Sequence, residues 1–295
     1  MLNSRNKYDK YAWQFIIVSL IIFIIFMVFP AINSFYLSLH STRGIVKTFT
    51  GLGNFKRMLS DRMFIQALKN TFIFLIVQVP IMLTLAMLLA TCLNSKKLKY
   101  KSFYRTAIFL PCVTSLVACS VLFKMMFSNE GLMNSLLIGI NMIKEPIVWL
   151  SHPFWARVVI IITLLWRWTG YNMIFFLAGL QNISPSLYEA AEIDGATKLE
   201  QFFYITVPQL KPIILFTTVM STIGTLQLFD EPMNLTTTNG VPLTETMTIS
   251  QYIYLNSFVY SPNFGYAASI SYAVVAIIAL LAIVQFKVAG DKYDN

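Results

Sequence analysis

Charge is what this sequence has least of. Only 12% of its 295 residues are Asp, Glu, Lys or Arg, about half the share of an ordinary soluble domain. A soluble domain of this length buries one core and still needs a polar coat, and this composition cannot supply one. A soluble enzyme, a disordered chain and a coiled coil are excluded on that ground. Cysteine is scarce too. Cys92, Cys112 and Cys119 all lie in apolar runs, and an odd count without framework spacing excludes a disulfide scaffold or a zinc site. The two histidines, His40 and His152, are far apart in sequence and read as ordinary residues at loop edges. There is no G-x-x-x-x-G-K-[ST] and no G-x-G-x-x-G after a strand, so the chain has no nucleotide site of its own. It offers no nucleophile, base and orienter set. It has no internal repeat, no low-complexity tract and no Pro/Ser linker.

What remains is apolar. Hydrophobic residues make up 57% of the chain and the mean hydropathy is +0.66. A bilayer span needs about 20 mostly apolar residues. Six segments meet that need, at about 12–39, 70–95, 106–127, 154–181, 213–235 and 263–287. They predict an all-α integral membrane protein forming a single transmembrane domain over residues 1–295. The first segment is too long for a signal-peptide core, and Phe29-Pro30-Ala31 is a poor cleavage site, so it reads as an uncleaved span.

The net charge of +9 is read as basic loops facing anionic lipid rather than as a nucleic-acid surface. Arg5, Lys7 and Lys10 precede the first span, and Lys96, Lys97, Lys99, Lys101 and Arg105 follow the second. Placing both groups inside predicts cytoplasmic N- and C-termini, the latter with Lys292, and an inner loop at 182–212. The first outer loop objects, since it holds Arg43, Lys47, Lys56, Arg57 and Arg62. Leu52, Phe55, Met58 and Leu59 fall there at helical spacing and predict a short helix at the membrane surface.

The inner loop is the most informative part of the chain. From Ser184 it reads SPSLYEAAEIDGATKLEQFFYITVPQLKP, with four acids in a chain where charge is scarce. Ser184 and Pro185 suit the N-cap and first position of a helix. Gly195 suits its end, because glycine tolerates the left-handed conformation. Thr197 and Glu200 fit a capping box that starts a second helix, with Phe202, Phe203, Ile205 and Val207 as its apolar side. Pro208 and Pro212 stop that helix before the fifth span. A solvated linker would not need Leu187, Tyr188, Ala190 and Ala191 beside its acids, so the pair reads as a docking surface for a soluble partner.

These residues also carry a resemblance. Glu189-Ala190-Ala191, then Asp194-Gly195-Ala196, then Phe202, Ile205, Pro208 and Pro212 resemble the EAA loop of ABC importer permeases. Gly51-Leu52-Gly53-Asn54-Phe55, Asn70-Thr71, RTAIFLP at 105–111, LAGLQNI at 177–183 and Phe264-Gly265-Tyr266-Ala267-Ala268 resemble the maltose-type sugar permeases. The resemblance covers about residues 10–290. The stretch TIGTLQLFDE at 222–231 is most similar to the branch taking lactose-like and other oligosaccharides. It implies the permease subunit of a bacterial type I importer in the cell membrane, working by alternating access. It further implies a second, homologous permease chain, two cytoplasmic ATPase subunits that use ATP and Mg, and an extracellular sugar-binding protein. The permease itself would be non-catalytic and bind no cofactor. Glu189, Ala190, Ala191, Asp194, Gly195 and Ala196 would form the coupling site.

Candidate residues for the solute path are the polar and aromatic ones inside apolar spans. Arg167 lies near the middle of its span, where charge is costly; it faces a cavity or a partner, or it is a structural arginine bonded to backbone carbonyls or to an acid of the partner chain. Trp168, Tyr171 and Asn172 follow it. The two aromatic faces suit sugar rings, or equally helix packing. Ser221, Gly224, Thr225 and Leu228 fall on one helical face. That face is a packing surface or a lining, and its place relative to the EAA loop matches the family's sugar-facing span. Gln227, Asp230 and Glu231 stand near the outer end of the same span, where the carboxylates would accept sugar hydroxyls, or pair with Arg167 or with the binding protein, and would repel an anionic substrate if they line the path. The competing readings are an ATP-independent secondary transporter, whose inverted repeats are not visible, and an ABC permease for a solute other than sugar.

Overall fold

The computed structural model describes residues 13, 16–42, 47–95, 97–238 and 241–290. Residues 12, 14 and 15 of the first expected span, and Arg5, Lys7, Lys10, Arg43, Lys96 and Lys292 of the charge reading, lie outside the described residues. In chain order the helices are α1 (Ile16–Ser38), α2 (Gly53–Ser60), α3 (Arg62–Asn94), α4 (Lys101–Val113), α5 (Leu116–Met126) and α6 (Leu132–Gly139). They continue as α7 (Pro153–Gln181), α8 (Pro185–Ile193), α9 (Lys198–Gln209), α10 (Lys211–Leu226), α11 (Asp230–Thr236), α12 (Ile249–Tyr254) and α13 (Phe264–Gly290). Two antiparallel hairpins interrupt them, β1 (His40–Ser41) with β2 (Thr48–Phe49) and β3 (Thr237–Thr238) with β4 (Val241–Pro242).

Among the described residues, α1, α3, α7 and α13 are each long and apolar enough to cross a membrane. The pairs α4 with α5, and α9 with α10, qualify only together, because they bend by 95° and 67°. The segment read as one span at 106–127 is therefore broken. Pro111 donates no backbone bond and its ring crowds the carbonyl four residues back. The backbone then runs extended through Thr114 and Ser115, with ψ of 150° and 130°. The segment read as a span to residue 235 ends earlier, at Leu226. Asp230, Glu231 and Pro232 open a new helix instead. Acids are favoured at the positive end of a helix, and proline fits its first turn.

The expected single domain is organised as two compact units. The first holds the chain up to Asp61 together with Ile253–Val275. Asn54, from the Gly51–Phe55 motif, donates to the carbonyls of Ser38 and His40 at 2.9 Å each, closing the end of α1. Thr42 Oγ1 accepts from the Gly265 amide at 2.8 Å. Tyr266 donates to Asp61, and the Arg57 guanidinium lies 4.1 Å over its ring. The expected short helix is present, as α2. Its buried members are Asn54 and Met58, while Leu52 and Leu59 stay exposed.

The second unit runs from Arg62 to Tyr252 and resumes at Ala276. Its core sits where α3, α7 and α10 meet: Met82, Ala86, Met173, Phe176 and Leu180, with Leu210 fully buried at the α9–α10 bend. A second cluster joins Phe74, Phe123, Trp149, Ile160 and Leu235. Asn70 and Thr71 close this unit. Asn70 donates to the carbonyls of Thr244 and Met247 at 2.9 and 3.0 Å, and Thr71 Oγ1 accepts from the Ile249 amide at 3.0 Å. Arg157 donates to the Glu245 carbonyl at 2.9 Å, which explains a charge inside the fourth span.

Helix α4 comes close to α7 at Gly170. A Cβ there would sit 2.0 Å from the Ile108 carbonyl oxygen of α4, and backbone cannot move aside as a side chain can. Small residues permit this kind of contact between helices in lipid. Gly170→Ala is expected to cost about 1–3 kcal/mol of stability and to lower the yield of monodisperse, detergent-extracted protein. Gly224→Ala, where nothing lies within 4 Å, should leave that yield unchanged. Equal yields for the two variants would refute the close packing of α4 on α7.

Candidate functional site: a membrane cavity and an exposed elbow

A cavity of about 310 Å³ opens between α3, α5, α7, α10 and the segment leading into α11. This is near the lower end of the range for small-molecule sites. Of the nine path candidates, Trp168, Tyr171, Asn172, Ser221, Thr225, Gln227, Asp230 and Glu231 line it, as do Gly224 and Leu228. The helical face of α10 singled out by spacing therefore points into this space. Arg167 is the exception and does not line it. Sequence reasoning missed Gln78, Met82, Leu116, Leu164, Met220 and Phe229. Gln78 alone carried a signal, as an amide inside an uncharged apolar run. It accepts from Thr225 Oγ1 at 3.2 Å and donates to Met82 Sδ at 3.1 Å, so α3 and α10 are joined at the cavity wall by a polar bond. Asn172 donates to the Trp168 carbonyl at 3.0 Å. Trp168 and Tyr171 meet edge to face at 6.0 Å, and Tyr171 meets Phe175 at 5.1 Å. The lining thus combines flat aromatic walls, amides, hydroxyls and two carboxylates, and contains no cation.

Arg167 is 6% exposed and sits behind the wall. Its Nη1 donates to the Thr114 carbonyl at 3.2 Å, where the break between α4 and α5 has left that oxygen outside any helix. Its Nε lies 3.9 Å from Glu231 Oε1. Trp168 Nε1 donates to the same oxygen at 3.3 Å. Of the readings open for this arginine, the structure shows bonding to a carbonyl and pairing with an acid of its own chain.

The other candidate region lies between α7 and α10. Pro185 opens α8, though the Ser184 hydroxyl bonds Ser186 rather than capping a backbone amide. Helix α8 ends as a Schellman motif. Gly195 has φ +81°, its amide bonds the Glu192 carbonyl at 3.2 Å, and the Ala196 amide bonds the Ala191 carbonyl at 2.8 Å. Thr197 and Glu200 form both halves of the capping box that starts α9. Tyr188 ties α8 to α9 through Thr206 at 2.9 Å. Glu189, Ala190, Asp194 and Gly195 are exposed, Ala191 and Ala196 half-buried. Ile193 and Tyr204 are 87% and 80% exposed. The elbow is thus ordered and leaves apolar side chains uncovered beside its acids.

Two carboxyls in the elbow are held below the ordinary carboxylate value. Glu192 is lowered by the hydrogen bond and charge of Lys198, and Glu200 by the backbone amide and hydroxyl of Thr197. Both groups bind protons more weakly in the folded elbow than in an open chain. Their stabilisation is therefore fully present above the open-chain pKa and is lost as pH falls through the lowered values. Backbone amides at 197–201 should exchange faster with solvent after acidification into that range than intrinsic rates explain, and Glu200→Gln should abolish most of the pH dependence. Hydrogen-exchange mass spectrometry checks this, and protection independent of pH would refute it.

Comparisons with known proteins place this arrangement. Residues 71–289 match the family described as binding-protein-dependent transport system inner membrane component. The chain is 54% identical over 250 residues to the lactose transport system permease protein LacF of Rhizobium radiobacter, covering 85% of this chain and 84% of the relative. It is 36% identical over 234 residues to the arabinooligosaccharides transport system permease protein AraP of Halalkalibacterium halodurans, covering 79% and 73%. Its fold matches a chain of a bacterial ABC transporter involved in the import of the acidic polysaccharide alginate, with TM-score 0.85, 24% identity and 98% coverage of each chain. A second structure of a bacterial alginate ABC transporter, in complex with an alginate pentasaccharide-bound periplasmic protein, matches at TM-score 0.79 and 26% identity, covering 97% and 94%. The chain, a multi-pass helical membrane protein, belongs to the family of inner membrane components of binding-protein-dependent transport systems.

Proposed function

We propose that this chain is the permease subunit of an ATP-driven importer and carries a neutral sugar or oligosaccharide through the α3–α7–α10 cavity by alternating access. The observation that carries the reading is continuity from elbow to cavity. Helix α9 leaves the elbow, turns at the fully buried Leu210 and continues as α10, whose Ser221, Gly224 and Thr225 line the cavity. A rigid-body shift of the elbow therefore moves the cavity wall. The lining supports the solute class. Trp168 and Tyr171 suit the apolar faces of sugar rings, and the amides, hydroxyls and carboxylates suit their edges. Asp230 and Glu231, with no cation beside them in the lining, disfavour an acidic substrate. The lactose and arabinooligosaccharide permeases among its relatives point to the same class.

In this reading the chain pairs with a second, similar permease. Two cytoplasmic ATPase subunits dock on the two elbows and use ATP and Mg, while this chain binds no cofactor. An extracellular binding protein delivers the sugar. Both termini and the elbow lie on the cytoplasmic side, as the basic loops suggest. Glu189 makes a charge-assisted bond to the ATPase, next to the exposed Ala190, Asp194 and Gly195. The alternative, a transporter independent of ATP, would leave the ordered and exposed elbow without a purpose.

Purification of the tagged chain from its native membrane should recover a second six-span permease and an ATPase. Glu189→Ala should then lower or uncouple sugar-stimulated ATP hydrolysis. Gly195→Asp should insert normally yet abolish uptake. A Cβ at 195 meets nothing within 4 Å of this chain, so its penalty comes from the left-handed φ, about 1–2 kcal/mol, and from the docked partner. A chain that purifies alone and moves solute down its gradient would overturn the proposal, as would full uptake by Gly195→Asp.

A further inference from the structure

We infer that Glu231 is the hydroxyl-accepting anchor of the cavity and that Arg167 acts on the solute through it, as a positioning residue that never touches the sugar. This deepens the sugar-importer reading and rests on it. Glu231 borders the cavity and is 4% exposed. A carboxylate so deeply buried needs a partner, because desolvating it alone is costly. Arg167 supplies that partner from outside the lining, 3.9 Å away. An arginine is charged at every accessible pH. Trp168 Nε1 fixes Oε1 at 3.3 Å and presents its ring to the same cavity. A carboxylate offers about four acceptor positions on its two oxygens. With Trp168 and the Glu231 backbone amide taking two of these positions, capacity remains for a hydroxyl in the cavity that Glu231 lines, next to an aromatic plane. That juxtaposition fits a hydroxyl edge and an apolar ring face together.

The geometry also separates this role from a merely structural one. Arg167 lies 5.5 Å over the Trp168 ring, and two further attachments separate its possible roles. Its bond to the Thr114 carbonyl at 3.2 Å holds the α4–α5 break, whereas its Nε faces Glu231 and, among the described residues, has no hydrogen-bond partner. If the arginine only held the break, removing it would add the same loss whether or not Glu231 were present. If it works through Glu231, the second loss vanishes once the acid is gone.

The test uses the whole complex in liposomes, with its binding protein, and follows uptake of radiolabelled lactose and of an arabinose trisaccharide. Glu231→Gln keeps the side-chain shape and is expected to lower the maximal uptake rate about tenfold. The half-saturating concentration of sugar-loaded binding protein should stay within twofold, since that protein docks elsewhere. Arg167→Met should fall at least as far, and Arg167→Lys between it and wild type. The double variant Arg167→Met/Glu231→Gln, which buries no lone charge, should match Glu231→Gln alone. If Arg167→Met fails to assemble, Glu231→Gln and the double variant still decide the matter. Unchanged uptake by Glu231→Gln overturns the anchor. A double variant further reduced by the full loss seen for Arg167→Met, or by at least tenfold where that variant cannot be measured, overturns the action of Arg167 through Glu231. Uptake of neither sugar by the wild type overturns the sugar reading itself, and the anchor with it.

Discussion

Inside a bilayer every backbone carbonyl that leaves a helix must find a donor within the protein, because no water is there to serve. The break between α4 and α5 is where this chain meets that constraint most sharply. Helix α4 ends at Val113, two residues past Pro111, the chain bends by 95° into α5, and the Thr114 carbonyl is left outside both. Arg167 answers it. The cost of burying a guanidinium is then offset by Glu231, which stands in the first turn of α11. A broken helix, an intramembrane cation and the start of α11 thus meet in one cluster. The cavity lies beside this cluster, because the place where helices part company is also where a solute finds room.

The same logic recurs at the two asparagines. Asn54 and Asn70 are buried, and each donates to two backbone carbonyls of a segment far away in sequence. Each amide gathers loose ends that lipid would not tolerate. Hydrophobic burial cannot serve that purpose here, since lipid tails are as apolar as the side chains they would replace. Polar clasps and close glycine contacts carry the specificity that core packing carries in a soluble protein.

Much of this was legible in the sequence, and unevenly so. Six apolar segments, the glycine elbow at 195, the Thr197–Glu200 capping box and the inward face of Ser221, Gly224, Thr225 and Leu228 all follow from local chemistry or helical period. Local rules act over a few residues, and the sequence displays those residues together. Arg167 could be placed in the membrane but not assigned, because its partners lie 53 and 64 residues away in opposite directions. Gln78 escaped notice for the same reason, its partner Thr225 being 147 residues distant. The break at 114–115 was hidden by an unbroken apolar run. Hydropathy records what a segment dissolves in, and does not register where its hydrogen bonds are interrupted.

Helix α1 has a consequence for the membrane rather than for the solute. Its 23 residues expose apolar side chains almost all round, and Ser38 at its very end is its one buried residue. Tyr272 holds it near that end, through the Ala31 carbonyl and the ring of Phe35. At 1.5 Å per residue the helix is roughly 35 Å long, a few ångströms more than a typical hydrocarbon core. A rod longer than its solvent is thick is accommodated by tilting, by kinking or by a local thickening of the bilayer. With few contacts to resist, the helix and the lipid around it share that adjustment, and lipid composition becomes a variable of the protein's geometry.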